Sequence, residues 1–151
     1  MERKMYRIQA DGETREYPEG TPYRVKAGEF QKNHENDIVL VFVDGKLQEL
    51  HKTLQGDCSL VFETTGDEIG HSTYKRSMCR MLVKAIYDAA HHEGLRKVRG
   101  HYSMGDGYYC TMDADFSLTR SFLDQVEERM RTMVEEDMPV RKRTIHTDDA
   151  V

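Results

Sequence analysis

Hydrophobic positions in the first sixty-five residues recur mostly at every second place, broken once by a helical stretch. KMYRIQA (4–10) alternates as a strand does, Asp11–Gly12 is a hairpin turn, and ETREYP (13–18) returns as a second strand. PEGTP breaks the chain, and Thr21 followed by Pro22 reads as the cap and first residue of a helix over 22–32. That helix would turn Tyr23, Ala27 and Phe30 to a sheet. DIVLVFVDG is a strongly apolar, central strand, DGKLQEL a second Asp-Gly turn with a short strand, and CSLVFETT the last of the set. The order strand, strand, helix, strand, strand, strand is that of a ubiquitin-like β-grasp.

After residue 70 the period changes to that of a helix. Gly66–Gly70 reads as a junction, and a helix is predicted over 71–93, closed by Gly94. Met78, Met81, Leu82, Ala85, Ile86 and Ala89 fall within half a turn of one another and form its core-facing stripe. RKVRGHYSM and GYYCTMDAD read as two strands around Gly105–Asp106–Gly107. A second helix follows, capped by Thr119 or Ser117, with Phe122, Leu123, Val126, Met130, Met133 and Val134 as its stripe and Pro139 as its stop. VRKRTIH is predicted as a final strand. TDDAV then reads as a capped helix start where the chain ends, as a piece cut from something longer would. The fold class is α+β, with a β-grasp domain over 1–65, a junction over 66–70 and a second α+β domain over 71–151 that is incomplete at its C-terminus.

Composition narrows the picture only a little. The chain has 151 residues, 38% hydrophobic and 32% charged, which suits a globular protein with a modest core. No apolar run has the length of a membrane span, and a cytoplasmic location without membrane contact is expected. Cys58, Cys79 and Cys110 are odd in number and widely spaced, which argues against a disulfide framework or a zinc ribbon. The net charge of −5 means that any contact with RNA must come from a local basic patch.

Four stretches carry a resemblance: TTGDEIG at the junction, RSMCRMLVKAI in the first long helix, GDGYYCTMD in the sheet and LTRSFLDQVEERMRTMVEEDMPVRKRTI at the end. The first domain resembles a TGS domain, the β-grasp module that opens threonyl-tRNA synthetases. The second resembles the domain after it, which edits mischarged tRNA and has a counterpart in alanyl-tRNA synthetases. The family's editing helix carries two histidines four residues apart. GHS at 70–72 imitates the start of that motif, but anchoring on MLVKAI places the histidines at Arg76 and Arg80, with Ser77 between them. Two imidazoles on one helix face can hold a metal or move a proton near neutral pH. A guanidinium stays protonated and has no acceptor lone pair, so it does neither. Cys110 stands where the family usually has a third aromatic, and the family's later Cys and His pair would fall beyond Val151. On this reading the chain has no catalytic and no metal-binding residues. EYPEGTPY, HSTYKRSM and YSMGDGYYC resemble most the version of this front end found on bacterial uridine or nucleoside kinase-like proteins. That resemblance implies a C-terminal kinase domain as partner, with ATP and Mg expected only there, because no GxxxxGK[ST] loop occurs in the chain.

The candidate binding residues follow from the helical wheel. Arg76 and Arg80 flank Tyr87, with Lys84 and His91 nearby, on the face away from the apolar stripe. Such a strip could grip a phosphate-bearing ligand, a nucleotide or an RNA backbone. It could equally be solvated surface, since like charges at i,i+4 cost only about 0.2–0.5 kcal/mol. Tyr108 and Tyr109 are candidates to stack on a base, although strand neighbours point oppositely and at least one is expected in the core. Cys79 and Cys110 are expected to pack, adjacent His91 and His92 diverge too far to share a metal, and Arg141–Arg143 alternates along the predicted last strand, either touching phosphate or lying as a solvated edge. The favoured function is a non-catalytic regulatory, ligand- or RNA-binding module of a nucleoside kinase-like protein. The editing region of a threonyl-tRNA synthetase-like protein and a protein-docking module are the alternatives.

Overall fold

Two Asp-Gly pairs set the register of the first sheet. In the computed structural model, which describes residues 4–141 and 144–149, Asp11 and Gly12 have φ of 47° and 76°, and Asp44 and Gly45 of 48° and 80°. Positive φ at both central residues matches the right-handed twist of the strands they join, and asparagine, aspartate and glycine tolerate it best. The first pair joins β1 (Met5–Ala10) to β2 (Glu13–Pro18), and the second joins β3 (Ile38–Val43) to β4 (Lys46–Glu49). β5 (Cys58–Thr64) fills the centre, parallel to β1 and antiparallel to β3, giving the order β2-β1-β5-β3-β4. With α1 (Tyr23–Phe30) between β2 and β3, this is the ubiquitin-like β-grasp arrangement in an α+β chain.

The inward residues of these strands make the core. Tyr6, Ile8 and Ala10 alternate inward from β1 and meet Val41, Leu60 and Phe62 of the central strands and Ala27 and Phe30 of α1. Fully burying a side chain the size of Ile8 or Phe30 contributes about 1.5–3 kcal/mol. α1 is shorter than its predicted span and passes into a 3₁₀ turn over Gln31–Asn33. Its cap also differs from expectation. Thr21 turns its hydroxyl back to donate to the Pro18 carbonyl at 2.7 Å, and no side chain caps the helix. The first free amides instead find backbone carbonyls of the loop after β4, Tyr23 to Lys52 at 2.9 Å and Arg24 to Leu50 at 2.8 Å.

One charged residue sits inside this core. Lys26 of α1 is fully buried, donating from Nζ to the Thr21 carbonyl at 2.9 Å, between the rings of Tyr17 and Tyr23 at 5.1 and 5.0 Å. Burial lowers its pKa to about 8, against the weaker opposing pull of Cys58 and Glu29.

The chain divides into two compact units, Met1–Met78 and Cys79–Val151, the division falling within α2 (Glu68–Ala89). α2 starts three residues earlier and ends four residues sooner than its pattern predicts. It begins at Asp67, whose carbonyl accepts from the His71 amide at 2.8 Å and whose carboxylate accepts from the Thr64 amide and hydroxyl at 2.7 Å each. It ends before His91 and His92, which take φ of 50° and 58° ahead of Gly94. Gly70 lies so close to β5 that an added Cβ would stand 1.9 Å from the Thr64 carbonyl oxygen.

The second unit holds β6 (Leu95–Met104), β7 (Gly107–Ala114) and α3 (Arg120–Glu135). β6 and β7 form a two-stranded antiparallel hairpin. Thr119 caps α3, accepting from the Phe122 amide at 3.2 Å. Ala85 of α2 meets Val126 and Met133 of α3, with Met81, Leu82, Ile86, Phe122 and Met130 around them. Leu123 and Val134, expected in this stripe, are exposed, because the face of α3 that meets α2 is only as wide as Val126, Met130 and Met133. The helix stops at Glu135, with Asp137 at a φ of 47°, before Pro139 is reached. The predicted last strand is absent from the described residues of 140–146: Val140 and Ile145 are exposed without a strand partner, and Lys142 and Arg143 lie outside the described residues. Thr147–Asp149 forms a 3₁₀ turn where a helix start was expected, and Ala150 and Val151 lie outside the described residues.

Two tests follow from the first unit. Gly70→Ala forces a methyl group against the Thr64 backbone and should cost about 1–3 kcal/mol in urea unfolding. The unfolded chain keeps a proton on residue 26 that the folded chain releases between pH 8 and 10.5, so stability from this group rises with pH over that window. Cys58 and Tyr23, both raised by burial, act in the opposite sense at the upper end. The melting temperature of the wild type should therefore gain on that of Lys26→Met by several degrees as the pH rises through the window, and a constant offset would contradict the buried charge.

Candidate functional site

The candidate residues sit on two elements. Arg76, Arg80, Lys84 and Tyr87 belong to α2, and Tyr108 and Tyr109 to β7. Spacings of four and seven along a helix of 3.6 residues per turn hold the first four to one face. Arg76 and Arg80 are exposed, one turn apart. Arg76 donates to the Thr73 hydroxyl at 3.3 Å, and Ser77 donates to the Thr73 carbonyl at 3.0 Å. Among the described residues no carboxylate pairs with either arginine.

Lys84 and Tyr87 are differently engaged. Lys84 donates to both oxygens of Asp88, at 2.7 and 2.9 Å, so its charge is matched within its own helix. Arg129 of α3 donates to the same carboxylate at 2.8 Å and approaches Glu136 at 3.7 Å. The Lys84 hydrogen bond holds the Asp88 carboxyl below its ordinary value against the opposing effect of burial, and Arg129 adds a further, smaller lowering. The Tyr87 ring stacks on His92 at 5.9 Å, an approach made possible by the left-handed backbone at His92. The strip thus has two open arginines at one end and a compensated, ring-stacked cluster at the other.

The two tyrosines of β7 point to opposite faces of the hairpin, and both are exposed. The expectation that one would be core is not met, because the tip of the hairpin extends past the half-buried stretch of Leu95, Val98, Cys110, Met112 and Ala114. Tyr109 stacks on Tyr102 at 5.3 Å and meets His101 at 5.4 Å. Cys110 is half-buried on the side opposite Tyr109, and Cys79 is half-buried on α2. A cavity of about 470 Å³ lies in the first unit among Tyr23, Asp44, Lys52, Asp57 and Cys58, and none of the six candidates lines it. Among the described residues no group of three or more His, Cys, Asp or Glu is placed to hold a metal ion, and no helix is long and apolar enough to cross a membrane.

Sequence reasoning missed Asp88, Arg129 and Tyr102. The i,i+4 spacing of Lys84 and Asp88 was a usable signal. Arg129, forty-one residues from Asp88, carried none, since only packing brings the two together.

No family model matches the chain. Over 144 residues, 93% of its length, it is 28% identical to the threonine–tRNA ligase of Desulforamulus reducens and 26% identical to that of Acetivibrio thermocellus. Over 141 residues it is 27% identical to the threonine–tRNA ligase of Thermotoga neapolitana. The chain is similar to threonine–tRNA ligases. It spans about a fifth of their length, 22% for the first two and 21% for the third.

Asp88 provides the test of this geometry. Asp88→Ala leaves Lys84 and Arg129 without their carboxylate at a partly exposed site and should cost up to about 1 kcal/mol. Because the folded-state pKa is depressed, the contribution is fully present above the ordinary value of 3.8 and is lost as the pH falls through the depressed one. The difference between wild type and variant should shrink on acidification below pH 4, read by thermal unfolding.

Proposed function

We propose that this chain is an editing-region-like module of a threonyl-tRNA synthetase-like protein that engages tRNA phosphates through α2 and performs no deacylation with its own residues. The observation that carries the reading is the pair of exposed arginines without a carboxylate partner among the described residues, in a chain whose similarity to threonine–tRNA ligases covers 93% of its length. A guanidinium presents a planar fork of donors that matches two phosphate oxygens at once. Two forks one turn apart suit adjacent phosphates of a backbone. The overall charge of −5 confines such contact to local clusters of cations. The same two residues argue against hydrolysis: a permanently protonated side chain accepts no proton from water and binds no metal. A nucleoside kinase context finds no support among these relatives, each of which is a threonine–tRNA ligase.

Binding of a threonine tRNA transcript, followed by gel shift at several salt concentrations, tests this. Arg76→Glu/Arg80→Glu should weaken binding at least about tenfold and lower the slope of log K against log salt by about 1.4–1.8, at 0.7–0.9 per phosphate contact. Unchanged affinity and slope would remove α2 from the interface. Seryl-tRNA for threonine should be hydrolysed no faster with the chain than without it. Hydrolysis that persists in Arg76→Ala/Arg80→Ala would show that the histidine positions lie elsewhere.

A further inference from the structure

The outer face of the β6–β7 hairpin carries chemistry that α2 does not use. Its other face holds the half-buried Leu95, Val98, Cys110, Met112 and Ala114, so the outer one is left with Tyr109, Thr111 and Asp113 of β7 and their partners Tyr102, Arg99 and Lys97 of β6. A register shift between Gly100 and Tyr102 changes what β6 presents there. Adjacent strand residues ordinarily point to opposite faces. The bulge instead brings both His101 and Tyr102 against Tyr109, and the Thr111 hydroxyl fixes the His101 ring at 2.7 Å. The rings remain open to solvent, with Tyr102 58% and Tyr109 42% exposed.

The charges beside these rings are sorted. Arg96 engages Asp113 at 2.9 Å and also Asp115, which uses up the two carboxylates at the base of the hairpin. Lys97 and Arg99 are exposed, with no ion pair among the described residues, around a depression of about 150 Å³ that Thr111, Met112 and Asp113 also line; Asp113, already held by Arg96, is the register partner of Lys97. Open aromatic faces at one end of a strand pair and unmatched cations at the other are what an unpaired nucleotide strand requires, stacking for its bases and positive charge for its phosphates. A duplex hides its base faces and cannot use the rings.

We propose that this face binds single-stranded RNA, with unpaired bases stacking on Tyr102 and Tyr109 and the adjoining phosphates held by Lys97 and Arg99. The nature of the ligand rests on the tRNA reading above, but the residues are distinct from those of α2.

The test is a titration of the chain with an unstructured RNA of about eight nucleotides and with the same sequence as a duplex, read by tyrosine fluorescence and NMR. The single strand should quench the fluorescence and shift the resonances of His101, Tyr102 and Tyr109, and the duplex should not. Tyr102→Ala/Tyr109→Ala, whose fold is checked by circular dichroism, should weaken the single strand about 5- to 150-fold per ring. Lys97→Glu/Arg99→Glu should weaken it and flatten its salt dependence. Arg76→Glu/Arg80→Glu should leave single-strand affinity intact while weakening whole tRNA, which separates the two readings. If tRNA binds through α2 while the single strand leaves the tyrosines unmoved, or if the double tyrosine variant binds like wild type, the hairpin proposal falls and the α2 reading stands. If neither RNA binds, both fall.

Discussion

The start of α2 depends on a contact that admits no side chain. The first turn of the helix lies against the Thr64 carbonyl, and only a glycine at position 70 allows it. The Asp67 carboxylate then takes both donors of Thr64, which binds the end of β5 to the start of the helix. Glycine in a helix interior costs about 0.5–1 kcal/mol relative to alanine, so its presence one turn into α2 has a packing reason. The placement of Arg76 and Arg80 on their face follows from where the helix begins.

Several charges in this protein are neutralised by near neighbours. Asp88 matches Lys84 and Arg129, Asp113 and Asp115 match Arg96, and Glu13 and Glu29 match Arg15. These pairs are mostly exposed and contribute little each to stability. Arg76 and Arg80 on α2 and Lys97 and Arg99 on the hairpin stand outside these pairs, as do Arg7, Arg24, Lys46 and Lys52 of the first unit among the described residues. In a chain of net charge −5, exposed unmatched cations are where a polyanion can approach.

The pattern of the chain was legible where local physics decides. Both Asp-Gly turns and the alternation of β1 appear as read, and of the two cap candidates Thr119 is the one used, because turn geometry, strand period and side-chain capping act over a few residues. Thr21 was misread because the amides it would have capped are taken by carbonyls of Leu50 and Lys52, thirty residues away. Leu123 and Val134 were misread because an apolar residue at helical spacing is buried only if something covers it. VRKRTIH has the alternation of a strand but no partner strand among the described residues to make it one.

The same division holds for the candidate sites. The sequence by itself determined the α+β class, the β-grasp order and the one-turn spacing of Arg76 and Arg80, since each is a matter of period and chain order. Tertiary structure alone decided that Arg129 joins Lys84 on the Asp88 carboxylate and that a bulge gathers His101, Tyr102 and Tyr109 on one face. Those are contacts between residues far apart in the chain or across a register shift. They depend on which surfaces meet, and the spacing of residues along a sequence does not carry that information.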